Sequence, residues 1–548
     1  MITATMFKYS IYGLVLIGGI GAAGALSAGS NAMPARSRNP FQEDTTKVIR
    51  LHNAERMIII QTDSAAEQRF VGKVEFQQGT SRLYCDSAML DKNKNIVFAW
   101  GNVHINQADS VHTYSDALTY FGNDRKAILT GNAKLTDNKI VLTSPTLHYD
   151  LATKIGTYDK GGKLVNETTE LTSREGIYYG STKDVYFKKE VVVIDPEFTL
   201  GTDTLMYNTE TKIATIMAPT TINDGKMTMY VTDGYYNTDR GYGQFGQRPV
   251  IEDSTNTFTA NEIQTDKQTG ISIATGNMIW RDTAQKIAVL ANYGIINQQQ
   301  KSVLATQKPV TLIEGKTDTL FVAGDTLFSG VLPRLIDSSI VLQDKKTNGK
   351  DSLAAKQDTT EKRFIIAYHH VRIFSDSLQG VADSLYYSGA DSIFRLYRDP
   401  VLWANSNQLI GDTIFLFTKN RKADRLLLDQ NAMIINEVGP DMFNQIKGNT
   451  ILGYFGEEKL DSMYVNGNSE NVYYVQDDDS AFISVNKLQT ANTRVYFEKG
   501  ELERIVFVKQ PEGTMYPLSK IPAEEKKLKG FRWEIGRRPK TKYELLGQ

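Results

Sequence analysis

The sequence of 548 residues holds one cysteine, six histidines and 14 prolines, and each shortage removes a class of protein. A lone cysteine, Cys85, excludes an intramolecular disulfide framework, and it lies too far along the chain for N-terminal lipidation; it reads as a small buried hydrophobe. The scarcity of proline leaves most backbone amides free to join sheet ladders, and the 27 tyrosines bias the chain further toward strand. An excess of charge of one sign is also missing: 62 Lys and Arg face 63 Asp and Glu. That balance removes the electrostatic case for nucleic acid or for global attraction to an anionic membrane, so any partner is held by shape or apolar contact.

Catalytic grammar is equally thin. There is no H-E-x-x-H, cysteine pair, phosphate-cradling glycine loop or nucleophile elbow, so the sequence implies no enzyme, no cofactor and no metal. His369 and His370 are adjacent, which on a strand would point them to opposite faces; His104 and His148 read as outward residues of alternating strands. Long apolar runs are absent beyond the first thirty residues. There, Lys8 precedes an apolar stretch over 9–20, small residues follow, and Ala23-Gly24-Ala25 offers a cleavage site with Ala28 as a second. Residues 1–28 are therefore expected to be a signal peptide and 29–47 a flexible segment; an uncleaved anchor is the alternative, since 9–28 is nearly long enough to span a bilayer.

What the chain has in abundance is repetition. Ser115-Asp116-Ala117-Leu118-Thr119-Tyr120 recurs as Ser144-Pro145-Thr146-Leu147-His148-Tyr149 and Thr202-Asp203-Thr204-Leu205-Met206-Tyr207, with further copies at Asp325, Asp383 and Asp412 and a first at Asp86. The step is 30 from Asp86 to Asp116 and 29 from Asp383 to Asp412. A second element is a Gly-Asn corner leading into an alternating run: Gly101-Asn102-Val103-His104-Ile105, Gly131-Asn132-Ala133-Lys134-Leu135 and Gly276-Asn277-Met278-Ile279-Trp280, with Gly72-Lys73-Val74-Glu75-Phe76 as a degenerate form. Clusters of Gly, Asn and Asp between the runs supply turns. Stacked carboxylates at Asp86, Asp116, Asp203, Asp325, Asp383 and Asp412 suggest calcium or an acid/base pair, but Pro145 or Glu262 takes the same place in other units, which favours a corner cap.

Each unit reads as a bent antiparallel hairpin: 111–121 as one arm, a turn over 122–126, and 127–135 as the return. The expected fold is all-β, a jelly-roll or solenoid-like trough of about a dozen stacked repeats of roughly 30 residues. Period-two alternation turns Val74, Phe76, Val103, Ile105, Leu118, Tyr120, Leu147 and Tyr149 inward, and these are the candidate residues lining the apolar trough. The expected organisation is an array over 48–330, a loop or linker over 331–363 where periodicity lapses, a second array over 364–510 and a basic tail over 511–548. That tail is expected to be disordered or, through Phe531 and Trp533, to rest on a membrane surface or a partner.

The Gly-Asn-Val-His-Ile corner, the Asp-x-Leu-x-Tyr arm and the export signal ahead of them resemble the OstA-like/LptA-like periplasmic proteins of lipopolysaccharide transport, over most of 48–330 and more weakly over 364–510. The resemblance implies an antiparallel β-jelly-roll whose interior shields lipid A acyl chains and whose open ends stack with inner-membrane and outer-membrane components, or with another copy of the chain, to bridge the two membranes. It implies a periplasmic, non-enzymatic role in outer-membrane biogenesis. The chain departs from the short bridge proteins in its number of units, and too little sequence follows 510 to build the barrel of the outer-membrane translocon. Two other readings stand beside this one: a carbohydrate-active parallel β-helix enzyme, and a structural or adhesive rod with a filled core and no lipid.

Overall fold

The computed structural model describes residues 48–547 apart from 63–64, 108–110, 316–317, 333–360, 421, 457–458 and 499–500. The expected signal peptide, the flexible segment to residue 47 and most of the expected linker lie outside the described residues. Among the described residues forty strands pair into one sheet. The pairings are antiparallel from the first hairpins to the last, so the parallel β-helix has no counterpart here.

The repeat unit is a strand bent at its middle. Ile96–Gln107 pairs with Val111–Phe121 in unbroken register from Ile96↔Phe121 to Trp100↔Ala117; the register then shifts and resumes at Val103↔Ser115. The shift falls on Gly101 and Asn102, both left-handed with φ of 75° and 44°. Two successive residues with positive φ turn the strand through a corner while keeping its alternation in phase, so Val97 and Ala99 before the corner and Val103 and Ile105 after it are all buried on the same interior. The same double left-handed step recurs at Gly72-Lys73, Gly131-Asn132, Lys189-Glu190, Gly276-Asn277, Arg398-Asp399 and Gln430-Asn431. Elsewhere the corner divides the strand in two, as in Ile155–Tyr158 and Gly162–Asn166.

The recurring aspartates lie opposite these corners on the neighbouring strand. Asn102 Nδ2 donates to Asp86 Oδ2 at 2.9 Å, Asn132 to Asp116 at 2.9 Å and Asn431 to Asp412 at 2.9 Å. A Cβ at Gly131, whose φ is +73°, would lie 2.6 Å from Asp116 Oδ2. Asp, Gly and Asn thus interlock as one corner device, and the carboxylates act as caps. His369 and His370 correct the expectation of strand geometry: both are left-handed corner residues with φ of 57° and 50°, and their Nδ1 atoms meet Asp383 at 3.1 Å and Asp325 at 2.8 Å respectively. A corner, unlike a strand, sends both rings outward to carboxylates on opposite sides.

The ladder runs on across the aperiodic stretch, with Thr326–Val331 pairing to Arg363–Phe374 from Thr326↔Tyr368 to Val331↔Arg363. Along its length the two arms of each bent strand face one another, and their inward residues form one continuous cluster from Ile49 to Val495.

In the C-terminal third, alternation gives way to runs buried on both faces. Val401–Ala404 and Asn407–Ile410 are buried at every position. The covering element is the chain's own end. After the strand Glu512–Pro517, the chain turns back along the outside of the sheet and seats Ile521, Leu528, Phe531 and Trp533 on Val401, Trp403, Ile410, Met433, Ile435 and Phe443. It ends in a short helix, Lys542–Leu546, whose Leu545 packs on Val310, Phe321 and Ala323. The tail expected to be disordered or membrane-bound is a strap, because its apolar residues meet an apolar outer face of the same sheet.

Candidate functional site

All eight candidate residues face the interior. Val74, Phe76, Val103, Leu147 and Tyr149 are at most 1% exposed, and Ile105, Leu118 and Tyr120 are buried with them. They share one lining because the corner bends both arms of every strand around the same axis. Lys134, on the outer face, lies over the Tyr114 ring at 5.5 Å.

Opposite the corners the two arms end in free rims, and a ladder of buried tyrosines ties these rims together. Tyr149 Oη donates to Gln107 Oε1 at 2.8 Å, Tyr178 Oη to Asp137 Oδ2 at 2.9 Å, and Asn166 Nδ2 donates to Tyr207 Oη at 3.2 Å. Tyr120 bonds Gln78 in the same way. Each amide anchor also reaches a turn carbonyl on the opposite rim, as Gln78 Nε2 to Gly122 O at 2.9 Å and Asn166 Nδ2 to Thr209 O at 3.0 Å. The tyrosines stand 29 residues apart, from Tyr120 to Tyr149, Tyr178, Tyr207 and Tyr236. Each clamp therefore joins arms separated by about one and a half repeats, locking layers that nearest-neighbour pairing alone would leave independent.

The clamps are dry. Burial pushes the Tyr120 phenol up to about 12, and it likewise raises Tyr149, Tyr178 and Tyr207. At the third clamp an acid replaces the amide. Burial opposes ionisation of Asp137, but hydrogen bonds from Lys183 Nζ at 2.6 Å, the Ile140 amide and Tyr178 outweigh it and hold the carboxyl below its ordinary value. Sequence reading placed Tyr120 and Tyr149 inside and missed their role as clamps, together with the anchors Gln78, Gln107, Asp137 and Asn166. The 29-residue tyrosine spacing was the available signal.

The seam changes past Tyr236. At the next two ladder positions stand Thr265 and Ile296, and between the rims a cavity of about 560 Å³ opens, lined by Met227, Phe258, Trp280, Ile296 and Val303. Asp253 lies on the opposite rim at its mouth, and Arg363 is buried there, its Nε 2.6 Å from Asp282 Oδ2 and its guanidinium over the Trp280 ring at 4.7 Å. A smaller cavity of about 100 Å³ lies farther along the same seam, among Ile313, Leu320, Leu378, Tyr387 and Leu416. Among the described residues no group of three or more His, Cys, Asp or Glu side chains is placed to hold a metal ion, and Cys85 is buried with its thiol pushed up to about 12.

The first corners, all eight candidate lining residues and the first three clamps fall in the part of the chain that matches a known family. Residues 45–203 match the family of OstA-like proteins. This stretch is an OstA-like segment. It carries the strands Ser81–Asp91 through Asp184–Asp195 with their interlocked corners. A solved structure similar to part of the chain is LptH of Pseudomonas aeruginosa, described as the LptA homologous periplasmic component of the conserved lipopolysaccharide transport device. It is 21% identical, with 21% of this chain and 82% of that chain covered and a TM-score of 0.19. No curated protein matches the chain. Beyond the OstA-like segment the same bent-strand unit continues in strand pairing to Glu501–Val508.

Proposed function

We propose that the chain is a periplasmic bridge that carries lipopolysaccharide between the inner and outer membranes, with the lipid A acyl chains shielded between the two inner faces of the bent sheet. The observation that supports this most is the interior itself. It is a packed apolar core that begins in the OstA-like segment and continues without a break from Ile49 to Val495. Moving an acyl chain from water into such an environment gains about 0.8 kcal/mol per methylene. The faces are in contact, so acyl chains take the place of contacts between the two arms, and the seam widens to admit them. Sugars and phosphates stay at the rims in water. No chemical step and no cofactor are needed, and directional movement draws on an energy source elsewhere in the assembly.

Partners of this bridge add at the ends of the ladder. Arg50–Asn53 and Arg56–Thr62 form one edge, where Met57, Ile58 and Ile59 are 47%, 47% and 58% exposed. At the other edge, Val506 and Met515 are 36% and 62% exposed. Apolar, unprotected edges of this kind accept a further strand from an inner-membrane or outer-membrane component, or from a second copy. Residues 1–28 supply export in this reading. Among the described residues no helix is long and apolar enough to cross a membrane.

The reading is tested by purifying the protein from its native envelope and measuring bound lipid by mass spectrometry. Lipopolysaccharide should be enriched over its share of the envelope; lipid in the bulk proportions, or none, contradicts the proposal. Val506→Pro should impair capture of whatever partner adds at the C-terminal edge.

A further inference from the structure

The clamp ladder and its lapse divide the seam into a closed part and a part with room. From Tyr120 to Tyr207, four tyrosines in strict 29-residue succession tie rim to rim. The rim anchors continue in the same rhythm as Asp195, Asp224 and Asp253, but the facing positions become Tyr236, Thr265 and Ile296. A threonine hydroxyl is too short to cross the seam, and Thr265 instead meets Ser272 Oγ at 3.1 Å within its own arm. An isoleucine has no hydroxyl. The cavity of about 560 Å³ begins where the phenols stop, with Asp253 and Ile296 both in its lining.

Its floor is part of the interior. Met227, Phe258, Trp280, Ile296 and Val303 belong to the same buried cluster as Val103 and Leu118. The volume falls within the range of sites that enclose one small ligand. Its wall carries both signs of charge, Arg363 buried with Asp282 and Lys301 exposed with Glu361 at the solvent side, above the apolar floor. That is the profile of a site for one flexible apolar chain attached to a polar head.

We propose that this cavity is a lateral port through which a single acyl chain of a membrane amphiphile passes from the side into the interior, at the stretch where the tyrosine clamps lapse. The port rests on the reading of the interior as a lipid channel and adds to it the place of loading. The closed seam on its N-terminal side then retains what has been loaded, because escape there requires breaking buried phenol hydrogen bonds.

The test uses the full-length exported chain and a dansyl-labelled undecanoic acid, followed by stopped-flow fluorescence. Ile296→Tyr restores a phenol opposite Asp253. The variant should slow probe capture at least tenfold while leaving the final amplitude unchanged. An unchanged capture rate in a folded Ile296→Tyr protein overturns the port and leaves the lipid channel standing. A native chain that binds no probe at all overturns the channel, and the port with it. Should the variant fail to fold, a benzophenone amino acid in place of Phe258 decides: covalent labelling by the probe supports the port, and labelling no greater than at outward position 134 overturns it. Competition arms name the source of the chain. Displacement by lipopolysaccharide assigns a glycolipid, and displacement by phosphatidylethanolamine vesicles assigns a phospholipid.

Discussion

Gly131 has two reasons to be glycine, and they act together. Its φ of +73° is strained for other residues, and a Cβ would meet the Asp116 carboxylate at 2.6 Å. Gly131→Ala should cost about 1–2 kcal/mol in urea unfolding, more than the same change at Gly201, where an added Cβ meets nothing. Asp137 carries the sharpest pH signature. Its folded-state pKa lies below the unfolded value, so the charged clamp contributes its full stability above the unfolded pKa, near 4, and loses it as pH falls through the lower folded pKa. Asp137→Ala leaves Lys183 and Tyr178 without their acceptor and should cost on the order of 3 kcal/mol at pH 7, with the deficit shrinking below pH 4. Thermal unfolding of both proteins between pH 3 and 7 checks the size and the sign. At this scale the corners were legible, because Asp116 and Gly131-Asn132 repeat as visible motifs. Gln78 and Gln107 were not, because a clamp partner lies some forty residues away and a buried glutamine has no periodic signature of its own.

At the scale of the element, the strap stands out from the repeat. Three nearly buried glutamines on successive parts of the sheet hold it. Gln445 accepts from the Leu528 amide at 2.8 Å and donates to Lys526 O at 2.8 Å; Gln408 accepts from the Glu534 amide at 2.7 Å and donates to Arg532 O at 2.7 Å; Gln379 accepts from Arg538 Nε at 2.9 Å. Asp399 adds ion pairs to Arg532 and Arg537; burial opposes its charge, and the two guanidiniums outweigh that and keep its carboxyl below the ordinary value. Gln445→Leu removes both partners of one strap segment and should cost about 1–3 kcal/mol, with faster hydrogen exchange over 520–535 before any change in the N-terminal strands. Deleting 518–548 bares Trp403, Met433 and Ile435 and should raise dye binding and self-association, read by light scattering. Val401–Ala404 and Asn407–Ile410 are buried on both faces, but nothing local in their sequence, with Asn407 and Gln408 in the second, named the covering segment more than a hundred residues away.

At the scale of the whole molecule, the chain is a one-dimensional stack with two devices that couple distant layers, the tyrosine seam in the N-terminal half and the strap in the C-terminal half. The bent hairpin and the inward lining could be read from the sequence because strand alternation and left-handed corners are local rules repeated many times. The rims' closure was signalled only by the 29-residue tyrosine spacing, whose partners are set by how two arms meet through space. In this account the interior exists to exchange side-chain contacts for acyl chains. The most direct measurement places photo-crosslinking residues at Val103, Ile105 and Leu118, with Lys134 as the outward control, and probes the full-length protein in its own envelope. The account predicts lipopolysaccharide adducts at the three interior positions and not at 134. Equal labelling at all four, or adducts at 134 alone, would contradict it.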